Sequence, residues 1–425
     1  MKKKKAPLGR RMKEFVKTSV VWGPLDHNLF FTIIFLNVYG IIMVYSASYN
    51  NSITKNYSYF MNNQLKNVIF GFVIMIVASY VNYHRIVRLG WGWFWLLAAV
   101  AIIAALKTPL AHSELGATRW IKLGPVSFQA AEPIKAAIII FFAYYVSYWG
   151  LNRWYNQLLA CLLAIALLGF LFFFSNNLST VIVLFCICAV IILSSVKKPD
   201  LYWYFLLGLA LIIIAAIFVT VYLLMHQGAE NFRFVRIRAW LHPEEYAADE
   251  GLQAMQARYA IGAGGFWGKG LGQSLIKFKL SYSYNDFILA IICEELGVFG
   301  VIVMMTLFGY LLYRIYKIAQ NAWDIEGKVL AIGVFTQIAL QLLINVMVVT
   351  SVIPTTGVTL PFFSAGGTSV VFLLAELGMV LNVDKYAKER RFFEEAERHV
   401  AQMEQRGGIG VAGWRRRLDS ARTRR

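Results

Sequence analysis

The chain has 425 residues, 59% of them hydrophobic and only 15% charged, with a mean hydropathy of +0.58; a soluble domain carries roughly 25% charged residues. That composition excludes a soluble globular protein and defines a polytopic membrane protein. The formal net charge of +18 would suggest nucleic acid in a soluble chain, but the basic residues cluster at both ends beside apolar runs. Anionic lipid headgroups and membrane topology account for them, and no nucleic-acid partner is expected.

Ten runs meet or approach the roughly 17 to 25 apolar residues that a span needs. They fall near 28–48, 65–82, 89–106, 133–149, 156–174, 178–196, 201–225, 286–313, 329–350 and 360–383. The expected fold is therefore all-α: a bundle of ten transmembrane helices. With the N-terminus in the cytoplasm, 28 of the 41 Lys and Arg residues lie inside, and seven of the other 13 lie in one long loop. The short outer loops are then poor in positive charge, as the positive-inside rule requires. Both termini are expected in the cytoplasm, with one large extracytoplasmic loop, 226–285, between spans 7 and 8. The domain reading is a basic arm (1–27), a membrane domain (28–383) and a charged tail (384–425). The first run is too long for a signal peptide and lacks a small-residue cleavage site, so it reads as a retained span. All four cysteines (Cys161, Cys186, Cys188, Cys293) lie in apolar runs without CxxC spacing and read as small core residues.

Five segments could carry chemistry. Gly116 to Lys135 reads as an outer turn leading into a helix near Ala131, with Pro133 in its first turn. Glu132 and Lys135 share a helix face. They either stitch the helix end as an ion pair or put Lys135 into a polar cavity. Ser175-Asn-Asn-Leu-Ser-Thr180 joins two spans almost without a loop, and its polar side chains either cap the next helix or line a cavity.

The long loop is the third segment. Phe232 to Arg238 alternates basic and apolar residues, which suits a half-buried strand or an interfacial helix. Gly251 to Ile261 reads as a short amphipathic helix with Gln253 and Gln256 on one side. Gly262 to Gly272 holds six glycines in eleven residues, enough for backbone N–H groups to approach an anion. Arg258, Lys269, Lys277 and Lys279 add positive charge. On an outer face the fitting anion is a lipid-linked pyrophosphate.

The fourth segment runs from Tyr284 to Gly297. Asp286 is either a cap favoured by the helix dipole or a partly desolvated general base. Glu294 lies eight residues on, about 12 Å deeper along a helix, where a charge needs a partner or a water-filled cavity. The fifth is Pro354 to Ser369, in which two prolines and three glycines interrupt the last span. Broken backbone at that depth must be buried in protein or line a cavity.

Together these segments resemble the SEDS family (shape, elongation, division and sporulation), whose members include FtsW, RodA and SpoVE. The resemblance runs from the first span to about Val383. It implies a ten-span bundle that polymerises lipid II into glycan strands, releasing undecaprenyl diphosphate at the outer face of a bacterial cytoplasmic membrane. It also implies a class B penicillin-binding protein as transpeptidase partner, besides other divisome membrane proteins. Asp286 matches the family's proposed catalytic Asp, while Tyr284 and Asn285 replace its usual His and Thr. Gln129-Ala-Ala-Glu132 keeps the Glu and the following Lys135 of a Gln-Pro-Ser-Glu motif. Asn177 replaces an acid, and Ala365 replaces a frequent Tyr. The form of Pro354 to Ser369 and the basic tails are closer to the division and sporulation members than to the elongation member RodA.

The substrate-binding set expected beside Asp286 comprises Arg119, Glu132, Lys135, Arg236, Arg238, Gln253, Gln256, Lys269, Lys277, Ser364, Gly366, Gly367 and Thr368. A divalent cation, Mg or Mn, could assist the leaving group, but no metal ligands are assigned. The rival reading is a lipid II transporter, which intramembrane Glu294 and Glu376 would suit. The lack of an inverted repeat and the one-sided gathering of motifs argue against it.

Overall fold

The structure, a computed structural model, describes residues 21, 23–48, 59–109, 111–114, 117–123, 126–175, 177–196, 232–245, 250–278, 285–365 and 367–405. The expected span at 201–225, the polybasic arm, the basic end of the tail, Tyr284 and Gly366 lie outside the described residues. The other expected spans all appear as helices: α1 (His27–Ser48), α2 (Tyr59–Tyr80), then after a short α3 (Tyr83–Val87), α4 (Trp93–Ala105). α5 (Ala131–Trp149), α6 (Trp154–Ser175) and α7 (Leu178–Ser195) follow. The long loop contains α8 (Phe232–Leu241) and α9 (Glu250–Gly264), and the chain ends with α10 (Ile288–Asn321), α11 (Ile325–Val349) and α12 (Thr368–Gln405). Six of these (α1, α2, α6, α7, α10 and α11) are long and apolar enough to cross a membrane, and α4 is a shorter apolar helix.

One expectation needs correction: the chain is not all-α. The segment read as a turn before α5 is a three-stranded antiparallel sheet of β1 (Ala111–Glu114), β2 (Ala117–Leu123) and β3 (Val126–Gln129). β1 pairs with β2 through Ala111–Ile121 with an irregularity at His112/Ser113, and β2 pairs with β3 through Trp120–Gln129. Its strands are too short for a periodicity signal. Its edge is covered by the bundle: Phe128 packs on Phe372 of α12, ring centroids 6.5 Å apart. The Phe232–Arg238 stretch, for which strand and helix were both open, is helical.

Core residues along α5, α10, α11 and α12 are almost wholly buried, while α1, α2 and α6 expose apolar side chains such as Phe35, Phe70 and Leu162. This is the inside-out pattern of helices facing lipid on one side and protein on the other.

The end of the bundle away from Asp286 is closed by a polar network. Asp324 caps α11 by accepting the Gly327 N–H at 2.8 Å. It also accepts from the Tyr83 hydroxyl at 2.8 Å and lies 2.6 Å from His84 Nε2. Neighbouring Glu326 accepts from Arg88 at 2.9 Å and from Ser147 at 3.0 Å. Asn382 of α12 accepts the Tyr83 N–H and donates to the Ser79 carbonyl, and Asp26 pairs with Arg314. Five helices and the α2–α3 turn are thereby tied together.

Burial pushes the Asp324 carboxyl upward, but the bonds from His84, the Gly327 N–H and Tyr83 outweigh it and hold the group below its ordinary value. A carboxyl with a depressed folded-state pKa stabilises the fold above its unfolded pKa, about 3.9. That contribution disappears as pH falls through the folded value. Asp324→Asn should therefore cost about 1–3 kcal/mol at neutral pH. Thermal unfolding in detergent should show the gap between wild type and variant closing as pH falls below about 4.

Candidate active site

The site is built around a fault in α10. Gly297 has φ 64° and ψ −163°, which interrupts the helix ten residues from its start. Such a break frees carbonyls before it and N–H groups after it, each costly to bury unpaired in an apolar medium. The glycine-rich segment after α9 supplies the partners. Lys269 N–H donates to the Glu294 carbonyl and Gly270 N–H to the Glu295 carbonyl, both at 2.9 Å. In return Val298 N–H donates to Gly265 and Phe299 N–H to Phe266, at 3.1 and 3.2 Å. A Cβ on Gly264 would meet the Cys293 carbonyl at 1.8 Å, and one on Gly268 the Glu295 carbonyl at 2.2 Å. The glycines are thus needed for backbone to lie on backbone.

This revises the anion-cradle expectation: N–H groups of the segment serve the broken helix. It also relocates two expected substrate cations. Lys269 pairs with Glu294 at 2.7 Å, and Lys277 donates to the Gly272 carbonyl at 2.7 Å and lies 3.4 Å from Glu295. Glu294 and Glu295 are fully buried. Glu294 accepts in addition from the Ser274 hydroxyl and from the N–H groups of Leu275 and Ile276. Glu295 accepts from Ser46 of α1 at 2.5 Å and from Ser274 N–H. Their charges hold the loop to α10 and α1.

Above the splice, α10 starts at Ile288, with Phe287 as a cap residue that makes no side-chain cap bond. Half-buried Asp286 precedes it. Two clamps fix its main chain. Asn345 of α11 donates to both the Asp286 and the Val358 carbonyls at 2.9 Å. Ser364 donates to the Asn285 carbonyl at 2.8 Å while accepting the Leu360 N–H. The segment from Ser351 to Ala365 is irregular and re-enters the bundle. Phe362 adopts φ 66°, a conformation that strains a bulky L-residue. Its ring is buried against Phe308. Its carbonyl lies where a Cβ on Gly40 would be only 2.3 Å away.

Val358 also lines a small cleft with Gln129, Glu132, Lys135, Asn177, Thr180 and Gln341 among its walls. Glu132 and Lys135 are both buried and 2.9 Å apart, so they are an ion pair and line a cleft at once. Asn177 likewise has both roles, since its Oδ1 accepts the Thr180 N–H at 3.4 Å as the cap of α7. Ser179 donates to the Thr356 carbonyl at 2.9 Å, closing one wall. Below the cleft, Gln337 donates to fully buried Glu376 at 2.8 Å.

Of the other expected site residues, Arg236 and Arg238 are half-buried on α8, which Trp240 fastens to the Ser351 carbonyl at 2.9 Å. Gln253 and Gln256 lie on α9, the latter buried. Gly367 has φ 54° and Thr368 opens α12. Arg119 lies on β2, but its side chain is not among those described. Asn345 and Gln341 were missed. Their signal was available: Gln337, Gln341 and Asn345 recur every four residues in an apolar run and form one polar stripe.

Among the described residues no three His, Cys, Asp or Glu side chains converge, and Glu132, the carboxylate in the cleft, is engaged by Lys135. The described residues therefore hold no ready-built all-protein cation site.

These features define a multi-pass helical membrane protein whose polar site lies at one end, between two interruptions of its helices. The chain matches the family of FtsW, RodA and SpoVE, described as cell cycle protein, over residues 26–389, and it belongs to that family. It is 31% identical over 382 residues to a Trichlorobacter lovleyi protein named "Probable peptidoglycan glycosyltransferase FtsW", covering 88% of this chain and 96% of that one. It is 33% identical over 370 residues to stage V sporulation protein E of Bacillus subtilis, covering 84% and 96%. The fold is shared with a solved peptidoglycan synthase complex (TM-score 0.72, 22% identity, 86% of this chain and 99% of that one). It is also shared with RodA of Thermus thermophilus (TM-score 0.61, 22% identity, 85% and 97%).

Removing one member of a buried ion pair strands the other, at about 3–5 kcal/mol. Lys277→Met should therefore lower stability by about that amount in detergent unfolding. Adding Glu295→Gln should recover most of the loss.

Proposed function

We propose that this protein is a peptidoglycan glycosyltransferase that polymerises lipid II at the outer face of the bacterial cytoplasmic membrane, for septal division or sporulation. The observation that carries the reading is the Asn345 amide. It ties the main chain of Asp286 to Val358 of the cleft that holds the Glu132–Lys135 pair. A carboxylate beside a partly desolvated polar cleft suits a general base. The relatives named as glycosyltransferases support the substrate class.

In this reading ten spans put both termini in the cytoplasm, the 226–285 loop outside and the basic tails against anionic headgroups. The Asp286 carboxylate takes the proton of an acceptor sugar hydroxyl as that oxygen bonds to the anomeric carbon of the donor. The bond from that carbon to the diphosphate breaks, and undecaprenyl diphosphate departs with the electron pair. Arg236 and Arg238 offset the developing charge. Lys269 and Lys277, committed to Glu294 and Glu295, act instead by holding the loop. A class B penicillin-binding protein, whose single span packs on the bundle, cross-links the product among other division proteins.

The test is polymerisation of lipid II by purified protein in detergent, with and without that partner. Glycan strands should form without any membrane gradient, which a transporter would not give. Asp286→Ala should abolish them while the protein elutes and melts as wild type. Near-normal polymerisation by that variant would remove Asp286 from the chemistry. Asn345→Ala, which frees the main chain at Asp286, should lower the rate by up to about 100-fold, measured in the same assay.

A further inference from the structure

The glycine-rich segment has an exposed apolar face beside α10. Phe266, Trp267, Leu271, Leu275 and Phe278 are all more than half exposed, Trp267 at 76%. Trp267 packs on Phe299 of α10, ring centroids 6.0 Å apart, and is edge-on to Phe266 at 5.1 Å. A patch of this kind needs an occupant in the native setting.

The hydrogen bonds fix its depth. Phe299 N–H bonds to the Phe266 carbonyl. Just above it, Glu295 bonds to Ser46, and just below it, the Gly300 carbonyl accepts from Tyr39 at 3.1 Å. Ser46 and Tyr39 belong to α1, whose 22 residues span roughly 33 Å, about the thickness of a hydrocarbon core. Counting from its Ser48 end, Phe266 and Trp267 lie between roughly 3 and 13 Å inside that length. This is where aromatic rings favour the headgroup–acyl boundary. The patch continues without a step into Val298, Phe299, Ile302 and Val303, exposed on a helix apolar enough to span. Arg258 is exposed on the adjoining α9 and suits anionic headgroups.

We propose that the segment from Gly262 to Phe278 is a membrane-interface element. Its glycine backbone splices the broken α10 on one side, and its aromatic and leucine side chains enter the acyl boundary of the adjacent leaflet on the other. The segment is then not part of an aqueous loop. The occupant is lipid, and this does not depend on the activity proposed above.

The test uses the full chain with Cys161, Cys186, Cys188 and Cys293 replaced by Ala, in nanodiscs of phosphatidylethanolamine and phosphatidylglycerol. Spin labels are placed singly through Trp267→Cys and Leu275→Cys. Val303→Cys provides a lipid-facing reference and Glu245→Cys an aqueous one. Collision with oxygen relative to a water-soluble nickel chelate is expected to be several-fold higher at 267 and 275 than at 245, approaching the value at 303. Nickel access at 267 and 275 equal to that at 245 would overturn the proposal. So would exclusion of both reagents from both labels, which would mean that protein covers the patch. Matching elution of labelled and unlabelled chains shows that the fold is intact, and the two sites check each other.

Discussion

The break in α10 at Gly297 is the constraint from which the site follows. A helix interrupted inside a bilayer protein must find partners for four or so main-chain groups, because water is not there to take them. This chain finds them in the backbone of the 264–270 segment, through bonds at 2.9 to 3.2 Å. The exchange draws a long connection down against the bundle, and side-chain charge locks it there through Lys269–Glu294 and Lys277–Glu295. Both carboxylates also reach the N–H groups and hydroxyl of Ser274 to Ile276, so the loop is bound on two sides. The first turns of α10, above the break, are then free to follow a different axis from the rest of the helix, and Asn345 ties the main chain of Asp286 before them to Val358 of the cleft.

The two ends of the bundle differ in kind. At the end with Asp286, the described backbone is irregular at 265–275 and 351–365, with positive φ at Phe362 and a close backbone approach at Gly40. At the other end, regular helices meet through side-chain pairs: Asp324 with His84 and Tyr83, Glu326 with Arg88, and Asp26 with Arg314. Irregular backbone at a site and ordinary capping elsewhere is the distribution expected when strain is held in place by a firmly packed remainder.

Much of this was legible in the amino-acid order. Hydropathy alone located the long apolar helices among the described residues, because spanning segments must be long and apolar. Proline and glycine at 354–369 foretold the re-entrant break, and the i,i+3 spacing of Glu132 and Lys135 foretold their pairing. The short strands at 111–129 did not show, since four to seven residues give too few periods. The glycine segment's composition permits close approach, but nothing local says whether an anion or a broken helix lies opposite. For the same reason Lys269 and Lys277 read as cations for substrate, when Glu294 and Glu295, some twenty residues on, neutralise them. Asn345 was obscured by its apolar surroundings, although its spacing from Gln337 and Gln341 marks one face of α11.

The departures from the family's motif around Asp286 acquire a physical meaning from the way the segment is held. Asn345 grips the carbonyl of Asp286 and Ser364 grips the carbonyl of Asn285. Both clamps act on main chain, so they are indifferent to the side chain carried at 285. A threonine replaced by asparagine there leaves each hydrogen bond available. What the clamps do require is the donors, Asn345 and Ser364, and an irregular 354–364 backbone able to bring Val358 and Leu360 to them. The placement of the carboxylate is therefore encoded in α11 and in the re-entrant segment more than in the residues flanking Asp286. Variation at those flanking positions can alter what surrounds the acid without moving it.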